Sequence, residues 1–140
     1  MSAGRVRISS GSNFESAVGY SRAVRVGPYV AVAGTTGTGH DVIAQTRDAL
    51  RRIESALTKS GASLHDVVRT RIYLTDITHW REVGAVHSDV FGAIRPVATM
   101  VQVCALIAPE LLVEIEADAY IYDGDCETGS GGNEPSGPGR

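Results

Sequence analysis

"RPVATMVQV", residues 95–103, opens with a charge and a proline and then alternates without a further charge. Val97, Thr99, Val101 and Val103 fall on one face of a strand, and Ala98, Met100 and Gln102 on the other. The first face is β-branched throughout and is expected to meet the core. The second runs on into uncharged Cys104, and a strand uncharged on both faces is usually covered on both. What covers that second face decides the architecture.

The neighbouring segments supply the first cover. In "LLVEIEADAYIY" (111–122), Val113, Ile115, Ala117, Ala119 and Ile121 face one way, and Glu114, Glu116, Asp118, Tyr120 and Tyr122 the other. In "DVVRTRIYLTD" (66–76), Val68, Thr70, Ile72 and Leu74 oppose Val67, Arg69, Arg71 and Tyr73. From Asp41 to Ser60 the period changes to helical: Ile43, Leu50 and Leu57 recur every seven residues with Thr46 and Ile53 between them, and Gly61 follows as a C-terminal cap. A second helix is expected from a Thr78 cap, burying Trp80, Val83, Val86 or His87, Val90 and Phe91. Residues 5–9 predict a short first strand, and "YSRAVRVG" and "YVAVAG" flank Gly27-Pro28 as a hairpin.

The order is therefore βββαβαββ, an α+β domain with a mixed sheet of about six strands and two helices on one face. The opposite face collects tyrosines, arginines, carboxylates and the row Ala98/Met100/Gln102. No element is left to cover it, so a second copy of the chain is the economical partner. The domain is expected to span residues 1–122. Residues 123–140, "DGDCETGSGGNEPSGPGR", have no apolar anchor beyond Cys126 and predict a disordered tail.

Composition narrows the function. The chain of 140 residues is 43% hydrophobic and 21% charged, with 13 Lys and Arg against 16 Asp and Glu. That balance gives no basic stripe for nucleic acid. No apolar run is long enough to span a bilayer, and the N-terminus lacks a signal-peptide core, so a cytoplasmic protein is expected. His40, His65 and His79 lie apart without metal-ligand spacing, and no metal or cofactor is expected. Cys104 has no nearby histidine, which leaves nucleophilic catalysis without support. The run "GTTGTGH" (34–40) lacks the lysine and spacing of a phosphate-binding loop.

Four segments together carry a resemblance: "SRAVRVGPYVAVAGTTG" (21–37), "QTRDALRRIESALTKSGASLHDVVRTRIYLTD" (45–76), "FGAIRP" (91–96) and "LLVEIEADAYI" (111–121). The chain resembles the RidA/YjgF family of reactive-intermediate deaminases, whose members are often labelled endoribonuclease L-PSP. The resemblance implies a chorismate-mutase-like fold and a homotrimer with a small-metabolite cleft at each subunit interface. It also implies hydrolysis of enamine or imine intermediates released by pyridoxal-phosphate enzymes, without metal or cofactor. On this pattern Glu114 positions the water, and Tyr20, Ala33 and Gly34 line the cleft with Ala98, Thr99 and Met100. The family's carboxylate-binding arginine falls on Ala98, and an asparagine common on its second helix falls on Gly84. Arg22 and Arg95 are the candidates to replace the lost guanidinium, and either could instead be an ordinary solvated or salt-bridging arginine. Glu114 could likewise be a strand charge paired with Arg69 or Arg71, with Glu116 and Asp118 structural. Three functions stay open on sequence: an enamine/imine deaminase, a non-catalytic ligand-binding or chaperone-like module, and an endoribonuclease.

Overall fold

The computed structural model describes residues 4–122, so the expected tail at 123–140 lies outside the described residues. The strands are β1 (Arg5–Ile8), β2 (Ala23–Val26), β3 (Tyr29–Thr35), β4 (Val67–Leu74), β5 (Val97–Gln102) and β6 (Val113–Tyr120). The helices are α1 (Asn13–Val18), α2 (Val42–Lys59) and α3 (Trp80–Phe91). The six strands form one sheet in the order β1-β2-β3-β6-β4-β5. Only β4 and β5 run parallel, joined by the α3 crossover; every other neighbouring pair is antiparallel.

The two long helices form where their caps and periodicity require. Asp41 caps α2 by accepting the Ala44 N–H. At the other end Gly61 (φ 87°) lets the chain turn back, so that the Ala62 N–H reaches the Leu57 carbonyl and the Gly61 N–H the Thr58 carbonyl. The buried side of α2 is Val42, Gln45, Thr46, Ala49, Leu50, Ile53, Ala56 and Leu57; Ile43 lies outside it. In α3 the buried residues are Val83, Val86 and Phe91, whereas Trp80 is exposed and carries the Arg81 guanidinium over its ring. The approach to α3 is capped by Asp76, which accepts the Thr78 N–H, rather than by Thr78 itself. Both helices pack on the sheet face formed by Val30, Val32, Thr70, Ile72, Leu74, Val113, Ile115, Ala117 and Ala119.

Three further expectations are corrected. First, a short helix, α1, stands between β1 and β2. Its capping box pairs Ser12 with Glu15, and Gly19 (φ 86°) ends it. Second, the β4–β6 register shifts between Val67 and Arg69, so Val67 takes the core position and Val68 is exposed. Third, the phase of β5 is the reverse of that expected. Register places Ala98, Met100 and Gln102 beside Thr70, Ile72 and Leu74, on the helix side of the sheet. Met100 packs against the core, and the Gln102 Oε1 accepts the Ile77 N–H ahead of α3. Val97, Thr99 and Val101 therefore join Arg69, Arg71 and Tyr73 on the open face, with Val97 58% exposed. The physical reason is that β5 is an edge strand with two apolar faces, so alternation fixes its period and leaves its phase free.

Candidate functional site

The open face is organised by opposite charges in register across β4 and β6. Arg71 stands opposite Glu116 and bonds both the Glu116 carboxylate at 3.4 Å and Asp118 at 3.2 Å. Tyr73 donates its hydroxyl proton to Glu116 at 2.8 Å, and Tyr29 donates to Asp118 at 3.0 Å. Those bonds make the phenols harder to ionise: Tyr73 is raised first by its bond to Glu116, and Tyr29 first by burial and then by Asp118. Glu116 and Asp118 are thus held by partners on the sheet, although Glu116 also lines the cavity described below. Glu114 is not so held: Arg71 is engaged by its neighbours, and no ion pair reaches Glu114 among the described residues.

Glu114 turns instead toward the end of β3. The β3–β6 register shifts between Val32 and Thr35, and the chain carries Gly34 within the shift. A β-carbon on Gly34 would sit 2.9 Å from the Glu114 carboxyl carbon, so glycine is what lets the carboxylate lie against the strand. Burial is the main influence raising the Glu114 pKa, the nearby Glu116 charge adds to it, and Arg22 opposes both.

Arg22 is fixed by the same strand end. Its backbone continues the sheet, donating to the Ile8 carbonyl and accepting from Ala33. Its Nη1 donates to the Gly34 carbonyl at 2.8 Å and to Thr35 Oγ1 at 3.0 Å, and its Nη2 to the Tyr20 hydroxyl at 3.2 Å. The Tyr20 ring lies beneath the guanidinium, 5.6 Å from centroid to Cζ. All three partners are neutral, and no carboxylate forms an ion pair with Arg22 among the described residues. Of the five guanidinium N–H groups, three are used. Nε–H and one Nη2–H have no acceptor among the described residues, and a pair of such donors matches the two oxygens of a carboxylate.

Tyr20, Arg22, Ala33, Gly34 and Glu114 all line one open cavity of about 910 Å³. Ala98, Thr99 and Met100 do not line it: they lie on β5, at the edge of the sheet, with β4 between them and β6. Beside Ala98 the structure places a buried Thr70 whose hydroxyl pairs with His87 Nε2 at 2.9 Å. Burial lowers the His87 pKa, which keeps the ring neutral near pH 7. Arg95, the other candidate, does not line this cavity within one chain. It closes the turn after α3, its Nε bonding the Gly92 carbonyl.

Sequence reasoning missed part of this cavity. Phe14 and Val18 of α1 line it, as do Ile107 and Leu111 of the β5–β6 connection. The signal for α1 was present as Ser12-Asn13-Phe14-Glu15, a serine followed three residues later by glutamate. The β5–β6 connection is held by Gln45, whose amide donates to the Glu110 carbonyl and accepts from the Leu112 N–H. The glycine-rich run is packing rather than anion binding. A β-carbon on Gly37 would collide with the Gln45 carbonyl at 2.1 Å, and the Thr38 N–H is already given to the Asp48 carboxylate. No group of three or more His, Cys, Asp or Glu side chains could hold a metal ion among the described residues. No helix there is long and apolar enough to cross a membrane.

Comparison with known proteins agrees with this architecture. The family model described as Endoribonuclease L-PSP matches residues 10–121. An uncharacterised protein of Streptomyces coelicolor is 35% identical over 121 residues, covering 81% of this chain and 90% of the relative. A RutC family protein of Pyrococcus abyssi is 36% identical over 109 residues, covering 72% and 85%. A crystal structure from Mycobacterium tuberculosis, described as a member of the highly conserved YjgF/YER057c/UK114 family, is 73% identical with a TM-score of 0.84. It covers 84% of this chain and 100% of its own. The mixed sheet with its two long helices on one face is the chorismate-mutase-like fold of that group. The chain belongs to the RidA/YjgF family, the one whose model is described as Endoribonuclease L-PSP.

Proposed function

We propose that the protein is a hydrolytic deaminase of 2-imino carboxylates and their enamine tautomers, with Arg22 in place of the guanidinium missing at position 98. The observation that carries this reading is the pairing, in one cavity, of an arginine without an ionic partner and a carboxylate without a cation bound to it. Arg22 receives the substrate carboxylate through its two unused N–H groups. Glu114, ionised, takes a proton from a water as that water adds to the imine carbon. That proton passes to the imine nitrogen as the C=N double bond opens, giving a neutral carbinolamine. On collapse Glu114 takes the carbinolamine hydroxyl proton and passes it to the departing nitrogen, the C–N bond breaks as C=O forms, and a 2-oxo acid and ammonia result. An enamine first takes a proton at its β-carbon to give the imine. The burial that raises the Glu114 pKa suits a group that both accepts and returns a proton. Such intermediates arise where pyridoxal-phosphate enzymes work, and the reading places the protein in the cytoplasm with them.

The same reading includes a homotrimer. Val97 and Val101, 58% and 40% exposed, with Val26 and Tyr120 leave apolar surface on the open face. A neighbouring copy would cover it and bring its own β5 edge, with Ala98, Thr99 and Met100, to the cavity mouth. Light scattering at micromolar concentration should give three chains, and a monomer would remove this half of the reading. For the chemistry, ammonia release from an enamine generated in solution should fall with Arg22→Ala and with Glu114→Gln. Release that neither substitution alters would rule out this site and favour a ligand-binding module without catalysis.

A further inference from the structure

The cavity holds more than the proposed chemistry uses. Its volume of about 910 Å³ is in the range that takes ligands of drug size, whereas a three-carbon imino acid has roughly six non-hydrogen atoms and would leave most of it to water. One wall is apolar and uncovered: Phe14 is 52% exposed, Val18 68% and Ile107 67%. Phe14 and Val18 stand four residues apart on α1, hence on one face of that helix, and both turn to the cavity with Ile107 and Leu111. These side chains are held in place rather than loosely displayed. The capping box and the Glu15 bonds to Ser10 and Ser12 fix α1, and Gln45 fixes the connection that bears Ile107 and Leu111. At the other extreme of polarity, the same space contains Arg22, Glu114 and Glu116.

We infer that the site selects carboxylates carrying a long apolar side chain, with Arg22 at the carboxylate and Phe14, Val18, Ile107 and Leu111 around the hydrocarbon. In the proposed reaction the substrates are then the 2-imino acids related to leucine, methionine or phenylalanine, rather than 2-aminoacrylate. The bonds made and broken are those given above, and the side chain takes no part. An acidic side chain is disfavoured by Glu110, Glu114 and Glu116, although Lys59 and Arg52, the latter already paired with Asp48, also line the cavity. This inference rests on the reading of Arg22 as the carboxylate anchor.

Unreactive probes separate the ligand class from the chemistry. Straight-chain monocarboxylates from propanoate to decanoate, titrated calorimetrically into the whole protein, should bind about three- to fourfold more tightly for each added methylene over the middle of the series. Phe14→Ala should weaken octanoate by on the order of tenfold and propanoate hardly at all, Phe14→Leu should restore most of the loss, and Arg22→Ala should weaken every member. Imines made in solution by an amino acid oxidase from alanine, leucine, phenylalanine and glutamate then test turnover. Faster ammonia release from the leucine and phenylalanine products is the expected result. Equal release from all four, or fastest release from the glutamate product, overturns the inference and leaves deamination standing. No release together with a chain-length series in binding has the opposite meaning: the ligand class holds and the deaminase reading fails. A flat binding series overturns the inference, and so does loss of assembly in Phe14→Ala, because the apolar wall would then be a contact between copies.

Discussion

The two polar neighbourhoods of this sheet differ in how much of a site each can make alone. At the β3–β6 end, a register shift, a glycine and an incoming arginine place a half-buried carboxylate and a cation in one cavity. At the β5 edge Ala98 offers no polar side chain, nor does Gly84 on α3, and what stands beside the strand is a neutral His87 tied to Thr70. No side chain lies within 4 Å of where a β-carbon on Gly84 would be. The proposed chemistry is concentrated where β3 ends beside the start of β6, the central pair of the sheet. On the proposed reading, a charge absent from one side of an interface cleft is compensated from the other, where the carbonyl and hydroxyls around Arg22 hold the cation.

The sharpest way to break that comparison is to remove the carboxylate. Glu114→Gln should lower ammonia release by about 10²–10⁴-fold, the range for a general acid–base group, with no loss of melting temperature. The sign follows from the shift. The folded-state pKa of Glu114 is raised, so its contribution to stability is fully present below its unfolded value and is lost as pH rises through the folded value. An amide that never ionises escapes that loss. The same shift sets the acid limb of the pH–rate profile above the usual carboxylate range. Glu116→Gln, which removes the like charge, should move that limb to lower pH; a limb that stays where it was would mean that burial alone sets it.

Gly34 comes next. A β-carbon there meets the far end of the Glu114 side chain and not backbone, so the carboxylate moves and the fold stays. Gly34→Ala should cost on the order of tenfold or more in turnover, since small displacements of a reacting group are expensive, with little change in melting temperature. A large fall in stability instead would show that Gly34 serves the strand rather than the site.

Arg22→Ala tests the other half. Losing a charge-assisted bond of about 1.5–3 kcal/mol should raise KM by roughly ten- to a hundredfold. Ala98→Arg added to it sharpens the contrast. Within one chain residue 98 points to the helix side of the edge strand, and one intervening strand separates it from β6, about 10 Å away. It can reach the cavity only from a neighbouring copy. Recovery in the double variant of the ammonia release lost in Arg22→Ala would therefore report both the missing clamp and the assembly. An intact trimer without recovery would place the β5 edge outside the cleft.

How much of this was legible in the sequence depended on how unequal the two faces of each strand were. β6 was read correctly because its alternation sets Val, Ile and Ala against Glu and Asp, and burial leaves no choice between them. The helix boundaries at Asp41 and Ser60 were legible for a similar reason, since cap and period agree. β5 offered Val97, Thr99 and Val101 against Ala98, Met100 and Gln102, two uncharged faces, and the more strongly β-branched one turned out to be open. Of the candidate site, Glu114 and Gly34 could be named only through the family resemblance. Arg22 could be named only as a candidate, because its place depends on the carbonyl, hydroxyl and ring that surround it in space.

The smallest expected effect concerns the wall of the cavity rather than its charges. Glu15 closes the capping box of α1, and its carboxylate accepts from the Ser10 hydroxyl and from the Ser10 and Ser12 amides. These bonds, the Ser10 hydroxyl first, bring its pKa down to about 2. A depressed carboxylate contributes stability above its unfolded value, near 4.5, and loses it as pH falls toward 2. Acid should therefore loosen α1, and with it Phe14 and Val18, before it unfolds the sheet. Amide hydrogen exchange followed from pH 5 to pH 3 should show protection at residues 14–19 declining while that of β4 and β6 holds. Ser12→Ala, which removes the other half of the box at a cost of about 1 kcal/mol, should give the same local loss at neutral pH. Protection that survives both treatments would mean that α1 is held by its contacts and not by its cap, and the apolar wall would then be as rigid as the charged floor beneath it.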